Sequence, residues 1–139
     1  MKSQAQQYLK TMVETCAPVE NIIALYEKCL LHLATVRTGI AGGDVSVWSE
    51  ALHRAMDILC YLEASLDAGH REAEPLQRSY RMILARLGLV SANGSLEDVA
   101  LAEHWLEGML AAWREAGHHS HGGRAAGEEG ERLEQEGGE

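Results

Sequence analysis

The chain has 139 residues, a formal charge of −9 and a pI near 5.2, which is one domain's worth of sequence and enough to bury a core without disulfide or metal staples. That charge argues against phosphate-backbone binding, which needs a Lys/Arg surface to replace counterions, so nucleic acid is not an expected partner. The polar start MKSQAQQYLK carries no signal-type run and no window approaches the roughly 18–20 apolar residues of a membrane span, so a cytoplasmic protein without membrane insertion is expected. Cys16, Cys29 and Cys60 are odd in number and widely spaced, and read as reduced thiols.

Tyr8, Leu9, Met12, Val13 and Cys16 make a brief amphipathic patch, too short to be a stable helix alone. Residues 1–17 are therefore expected to form a short N-terminal segment that docks on the rest of the chain or stays loose. From Pro18 the apolar residues fall into a helical stripe of alternating three and four spacing: Val19, Ile22, Tyr26, Cys29, Leu33, Val36 and Ile40. AGGD breaks this helix and offers Asp44 as the cap of the next, whose stripe is Val45, Trp48, Leu52, Ala55, Leu59, Leu62 and Leu66. DAGHREAEP is the second connection. The third stripe is Ala73, Leu76, Tyr80, Ile83, Leu87 and Val90, with a start as late as Glu74 and Pro75 in the first turn.

ANGS closes the third helix, and Ser95 with Asp98 has the spacing of a capping box. The fourth stripe is Val99, Ala102, Leu106, Met109, Trp113 and Ala116, and Gly117 marks the expected stop. No segment alternates at period two, and all three connections are short, so the expected fold is all-α: an antiparallel up-down-up-down four-helix bundle over residues 18–116. Residues 117–139 are rich in Gly and Glu, and are expected to form a disordered acidic tail. Within it His118, His119 and His121 are read as adventitious rather than as a metal site.

A bundle invites a di-iron reading, which needs inward Glu-x-x-His pairs. Glu50 with His53 and Glu115 with His118 have that spacing, but Leu52 occupies the seam, so Glu50 falls on the far side of its helix. The second and fourth helices would also run parallel, placing the two pairs at opposite ends. A mutase acting on an anionic substrate would need Arg or Lys aimed inward, and no stripe position is charged. No enzyme activity, metal or cofactor is expected.

More apolar residues are present than one stripe requires. Ile23, Leu30 and Leu31 lie beside or behind the first stripe, and Leu101, Trp105, Gly108 and Ala112 make a second ribbon on the fourth helix. Flanking core positions at wide helix interfaces explain such residues singly. A surplus on two helices points to a binding surface for an amphipathic helix.

The stretch T-C-A-P-V-E-N-I-I-A-L-Y-E-K-C-L from Thr15 is similar to the T-A-S-P-x-x-L-I-x-x-L-Y-D-G signature of the flagellin export chaperones, the FliS family. R-A-M-D-I-L from Arg54, S-L-D at Ser65 to Asp67, Tyr80 with the later Ala92 and Asn93, and W-R-E-A from Trp113 follow in the family's order, so the resemblance spans about Tyr8 to Ala116. Ala17 stands in place of the family's Ser and Lys28 in place of its Gly, while Pro75, Ser79 and Met82 interrupt its N-L-x-x-L-Y-x-Y pattern.

The resemblance implies a nucleotide-independent chaperone that binds the disordered C-terminal segment of flagellin, prevents premature polymerisation and delivers it to a flagellar export gate component. It also implies that the client folds into helices on outer grooves of the bundle, and that the N-terminal segment covers part of that surface when empty. The residues expected to meet the partner are Tyr8, Ile23, Leu30, Leu101, Trp105 and Ala112, on a monomer or weak dimer. The competing reading is a helical adaptor or scaffold that binds a different protein.

Overall fold

The computed structural model of the chain describes residues 18–66 and 73–137, with side chains over residues 19–66 and 73–116. Four helices follow in order: α1 Pro18–Gly42, α2 Val45–Ala64, α3 Ala73–Asn93 and α4 Leu96–Gly137. α1 packs on α2 and α4, and α3 packs on the same two, so the helices form a square. Arg37 pairs with Glu103 while Arg114 pairs with Glu27, which fixes α1 and α4 as antiparallel. The fold is the expected all-α bundle. Tyr8 and the rest of the expected N-terminal segment, like residues 67–72 of the second connection, lie outside the described residues.

The turns form where their local chemistry requires. Gly43, at φ 72, takes the left-handed conformation that ends α1, and the Asp44 side chain then accepts from the Val47 backbone N–H at 3.3 Å to cap α2. At the α3–α4 turn Gly94 has φ 63, and the Ser95 hydroxyl accepts from the Asp98 N–H at 3.2 Å. The return half of the expected capping box is replaced: Asn93 Oδ1 accepts from the Ser95 N–H at 2.9 Å, and the Asp98 carboxylate turns to Arg86 instead. Trp48 ties the two turns together, with its Cβ against Gly39, where an added Cβ would sit 2.8 Å away, and its ring against Gly94.

Tyr26, Cys29, Leu33 and Val36 of α1 are fully buried, as are Ala55 and Leu59 of α2, Ile83, Leu87 and Val90 of α3, and Val99, Ala102 and Leu106 of α4. Across the diagonal the Tyr26 and Tyr80 hydroxyls are hydrogen-bonded at 2.8 Å, so each phenol satisfies the other in a dry interior. Burial raises the pKa of both phenols; for Tyr26 the bonds to Tyr80 and Trp113 partly oppose it, and for Tyr80 the Tyr26 neighbour reinforces it. The Cys29 thiol, also enclosed, is pushed up to about 12 by burial.

The stripes need three corrections. Val45 is exposed, because it is the first residue of α2 and projects beyond the end of the packed layer. Leu25 of α1, and Ala51, Ile58 and Tyr61 of α2, are buried although they fall outside their stripes, because each helix faces two neighbours and its apolar arc widens accordingly. On α4, Leu110 is buried, Met109 and Trp113 are half-buried and Ala116 is exposed, so the deepest line leans towards Leu110.

The backbone of α4 continues through Gly117 to Gly137, where a stop was expected. Once a helix is nucleated each further residue adds a hydrogen bond, so one glycine does not terminate it. Five further glycines up to Gly137 each cost about 1 kcal/mol relative to alanine, so the extension owes little to propensity. Limited proteolysis should therefore trim the chain back towards Gly117, and removal of residues 118–139 should leave the urea midpoint unchanged within error. A fall in that midpoint on truncation would show that the tail packs on the bundle.

Candidate functional site: a groove between α3 and α4

α4 presents different flanks to its two neighbours. On one, Glu103 and Arg114 pair with Arg37 and Glu27 of α1. On the other, Asp98 accepts from Arg86 of α3 at 3.2 Å, and the Arg86 guanidinium lies 5.8 Å from the centroid of the Trp105 ring. Residues three and four apart share a helix face, so Leu101, Trp105, Gly108 and Ala112 follow Asp98 along the flank next to α3.

The facing wall is built by α3, where Met82, Arg86 and Leu89 fall on one line. Met82 is 49% exposed and Leu89 47%, both large apolar side chains on a helix whose core face is already filled. Leu101 and Trp105 are half-buried, and Gly108 and Ala112 are exposed. Together these residues form an apolar strip along the α3–α4 flank, the candidate groove, with Trp105 as its aromatic body and Gly108 as a gap on its α4 side. An added Cβ at Gly108 meets nothing within 4 Å. A small-residue gap beside a large aromatic side chain suits an amphipathic helix that inserts one bulky residue.

Three of the expected contact residues, Leu101, Trp105 and Ala112, thus lie together. Ile23 and Leu30 do not join them: they share a face of α1 with Glu27, which pairs with Arg114, and so belong to the α1–α4 seam on the opposite flank of α4. Both are half-buried and packed against the core. Leu31, in contrast, is 68% exposed and lies with Thr35, Thr38 and Val47 beside a separate shallow depression near the α1–α2 turn. The apolar surplus therefore forms separate surfaces rather than one. Sequence reading missed Met82, Leu89 and Arg86, although Met82 and Leu89 carried the same signal as Ile23: large apolar residues outside the stripe.

The first of the two Glu-x-x-His pairs does not point into the bundle. Glu50 pairs with Arg54 in solvent at 2.9 Å and His53 is exposed, so both face away from the core. Tyr26, Tyr80 and Cys29 are enclosed, and burial raises the pKa of each further above its ordinary value. No helix among the described residues is long and apolar enough to cross a membrane.

Glycine substitutions separate folding from groove occupancy. Gly88 and Gly108 both sit in exposed helical positions with open space where a Cβ would go. Gly88→Leu and Gly108→Leu should each raise stability by about 0.5–1 kcal/mol through helix propensity. Gly108→Leu should also obstruct the groove and weaken partner binding by about 1 kcal/mol or more, whereas Gly88→Leu should not. Thermal unfolding and partner titration of the pair check this, and equal affinities would remove Gly108 from the contact surface.

Comparison with individual curated proteins gives no match. A family model described as "Flagellar protein FliS" matches residues 1–120, which takes in the whole bundle, the groove and the segment that precedes them. On that match the chain belongs to the FliS family of flagellar chaperones.

Proposed function

We propose that the chain is a cytoplasmic export chaperone whose α3–α4 groove receives the disordered C-terminal segment of flagellin as an amphipathic helix. The bound segment is kept from polymerising prematurely and is handed to a flagellar export gate component. The observation that carries the proposal is the run of exposed or half-buried apolar residues Met82, Leu89, Leu101 and Trp105, unfilled by the bundle itself, on a member of a flagellar chaperone family.

The energetics suit the task. A segment that folds only on binding gives up part of the interaction energy to its own ordering, so a long contact yields moderate affinity and permits release. No covalent step, metal or nucleotide enters this mechanism, and the chain acts as a binding protein rather than an enzyme. Ile23 and Leu30, across α4, would meet a client long enough to wrap around that helix, and Tyr8 would belong to the segment that covers client surface when no client is bound. The chaperone acts as a monomer or weak dimer.

The test is titration with a flagellin C-terminal peptide from the same organism, followed by a filament-growth assay with the complex. Saturable binding and suppressed growth are expected. Absence of binding, with capture of a different protein through the same groove, would make the chain an adaptor instead.

A further inference from the structure

We infer that the outward face of α1 is a contact between two copies of this chain, which pair with their α1 helices antiparallel and Leu31 of each copy opposite Ala41 of the other. The inference goes beyond the client-binding reading and does not depend on it, because α1 lies diagonally across the bundle from α3.

From Leu31 to Gly42, about 18 Å of helix, the exposed or half-buried positions on the outward side of α1 are Leu31, Ala34, Thr35, Thr38, Ala41 and Gly42. Arg37, the one Lys, Arg, Asp or Glu in that span, turns to Glu103 of α4. The solvent side of a surface helix normally carries charge. Leu31 is 68% exposed, more than any other large apolar residue among those described. The Thr35 hydroxyl donates to the Leu31 carbonyl at 3.3 Å and the Thr38 hydroxyl to the Ala34 carbonyl at 3.0 Å, so neither needs a further partner when water is removed. On the α2 border Glu50 and Arg54 form an ion pair, and on the α4 border Arg37 and Glu103 form another, with Glu107 one turn beyond Glu103.

This face fits a second copy of itself. Leu31 is a knob, and Thr38, Ala41 and Gly42, on the same helix, surround a shallow site of small side chains that lets another helix approach closely. At the N-terminal end of the face, Lys28 and the Glu27–Arg114 pair sum to one positive charge, and at the C-terminal end stands Asp44, one negative charge. Antiparallel pairing centred on position 36 sets Leu31 opposite Ala41, and the same register sets Lys28 opposite Asp44. A two-fold therefore uses the knob, the site that receives it and both charges twice, whereas a foreign helix would use each once. One helix pair of this length buries well below the roughly 800 Å² per partner of a stable complex, so the dimer is weak, with a dissociation constant on the order of 10–100 μM.

The experiment is sedimentation velocity of the full chain at low salt, up to about 500 μM. Dimerisation is expected, and should weaken about tenfold in Leu31→Ser and in Lys28→Glu, which sets like charge against Asp44. Asp44→Asn, which keeps a capping side chain, should weaken it about threefold. Leu31 and Lys28 are exposed, so their substitution should leave the helical circular dichroism unchanged. Leu89→Ser, on the α3 side, should leave dimerisation unaffected. No association over this range, or association lost with Leu89→Ser but not with Leu31→Ser, would overturn the α1 contact. A flagellin C-terminal peptide from the same organism should bind the dimer without dissociating it. A peptide that displaces the second copy would give this face to the client, overturning the pairing while the chaperone reading stands. Intact dimerisation without peptide binding would support the pairing and count against the chaperone reading alone.

Discussion

Raising the pH from 8 to 11 should destabilise the bundle steeply, with the urea midpoint falling from about pH 9 upwards. The ordinary thiol value is 9.0, and the enclosed Cys29 thiol is pushed up to about 12 by burial. Above pH 9 the unfolded chain has released this proton while the folded chain still holds it. The unfolded state then binds fewer protons, so stability declines as pH rises. One group in this condition removes about 1.4 kcal/mol per pH unit, so Cys29 alone removes on the order of 3 kcal/mol between pH 9 and 11. Burial of Tyr26 and Tyr80, which raises both phenols from an ordinary 10.0, adds to the slope above pH 10. A total stability of about 5–15 kcal/mol makes this a large fraction. Under reducing conditions Cys29→Ala should flatten the first part of the decline, and a midpoint unchanged from pH 8 to 11 would contradict the enclosed position of these groups.

The second large effect is on binding. Trp105→Ala should weaken the flagellin-peptide complex by about 2 kcal/mol or more, as removal of a buried aromatic anchor does at interfaces. Its cost in stability should fall below the roughly 3–5 kcal/mol of a fully enclosed Trp, because Trp105 is half-buried on the flank of α4. Trp113→Ala is the comparison. The Trp113 ring stands 6.5 Å from that of Tyr26 at the centre of the bundle, so its loss should reduce stability more than affinity. Urea unfolding and peptide titration of both variants give two ratios that should differ in direction. A large stability loss for Trp105→Ala, with affinity unchanged among folded molecules, would remove Trp105 from the contact surface.

The bundle is legible in the sequence because spacing alone places Tyr26, Cys29, Leu33 and Val36 on one face, and Ile83, Leu87 and Val90 on another. Burial follows directly from that periodicity. Leu25 is not legible in the same way. A strict seven-residue reading drifts from the real helix by about 20° per repeat, and the width of the buried arc depends on how many neighbours a helix has. Val45 satisfies the period but lies at a helix end, where periodicity says nothing about how far the neighbouring layer extends.

The candidate site was half legible. Leu101, Trp105 and Ala112 could be read as a ribbon on one helix, and that ribbon lies on the α4 side of the candidate groove. The other wall could not be assigned without knowing that Arg86 meets Asp98, a contact set by the register of two helices across a turn. The same register separates Ile23 and Leu30 from the ribbon, which no single-helix pattern could reveal. Gly117 shows another limit: a helix stop is read from one residue, whereas helix continuation reflects the whole run that follows.

The most direct measurement of the central claim is an NMR titration of the labelled chain with the flagellin C-terminal peptide, reading the indole N–H groups of Trp48 and Trp105 and the methyl group of Met82. Trp48 lies against Gly39 and Gly94 at the turn end and serves as the internal reference. Large shifts at Trp105 and Met82, saturating together while Trp48 stays in place, are expected for a client seated between α3 and α4. Saturable shifts at Trp48 with Trp105 and Met82 unmoved would place the client elsewhere and contradict the account.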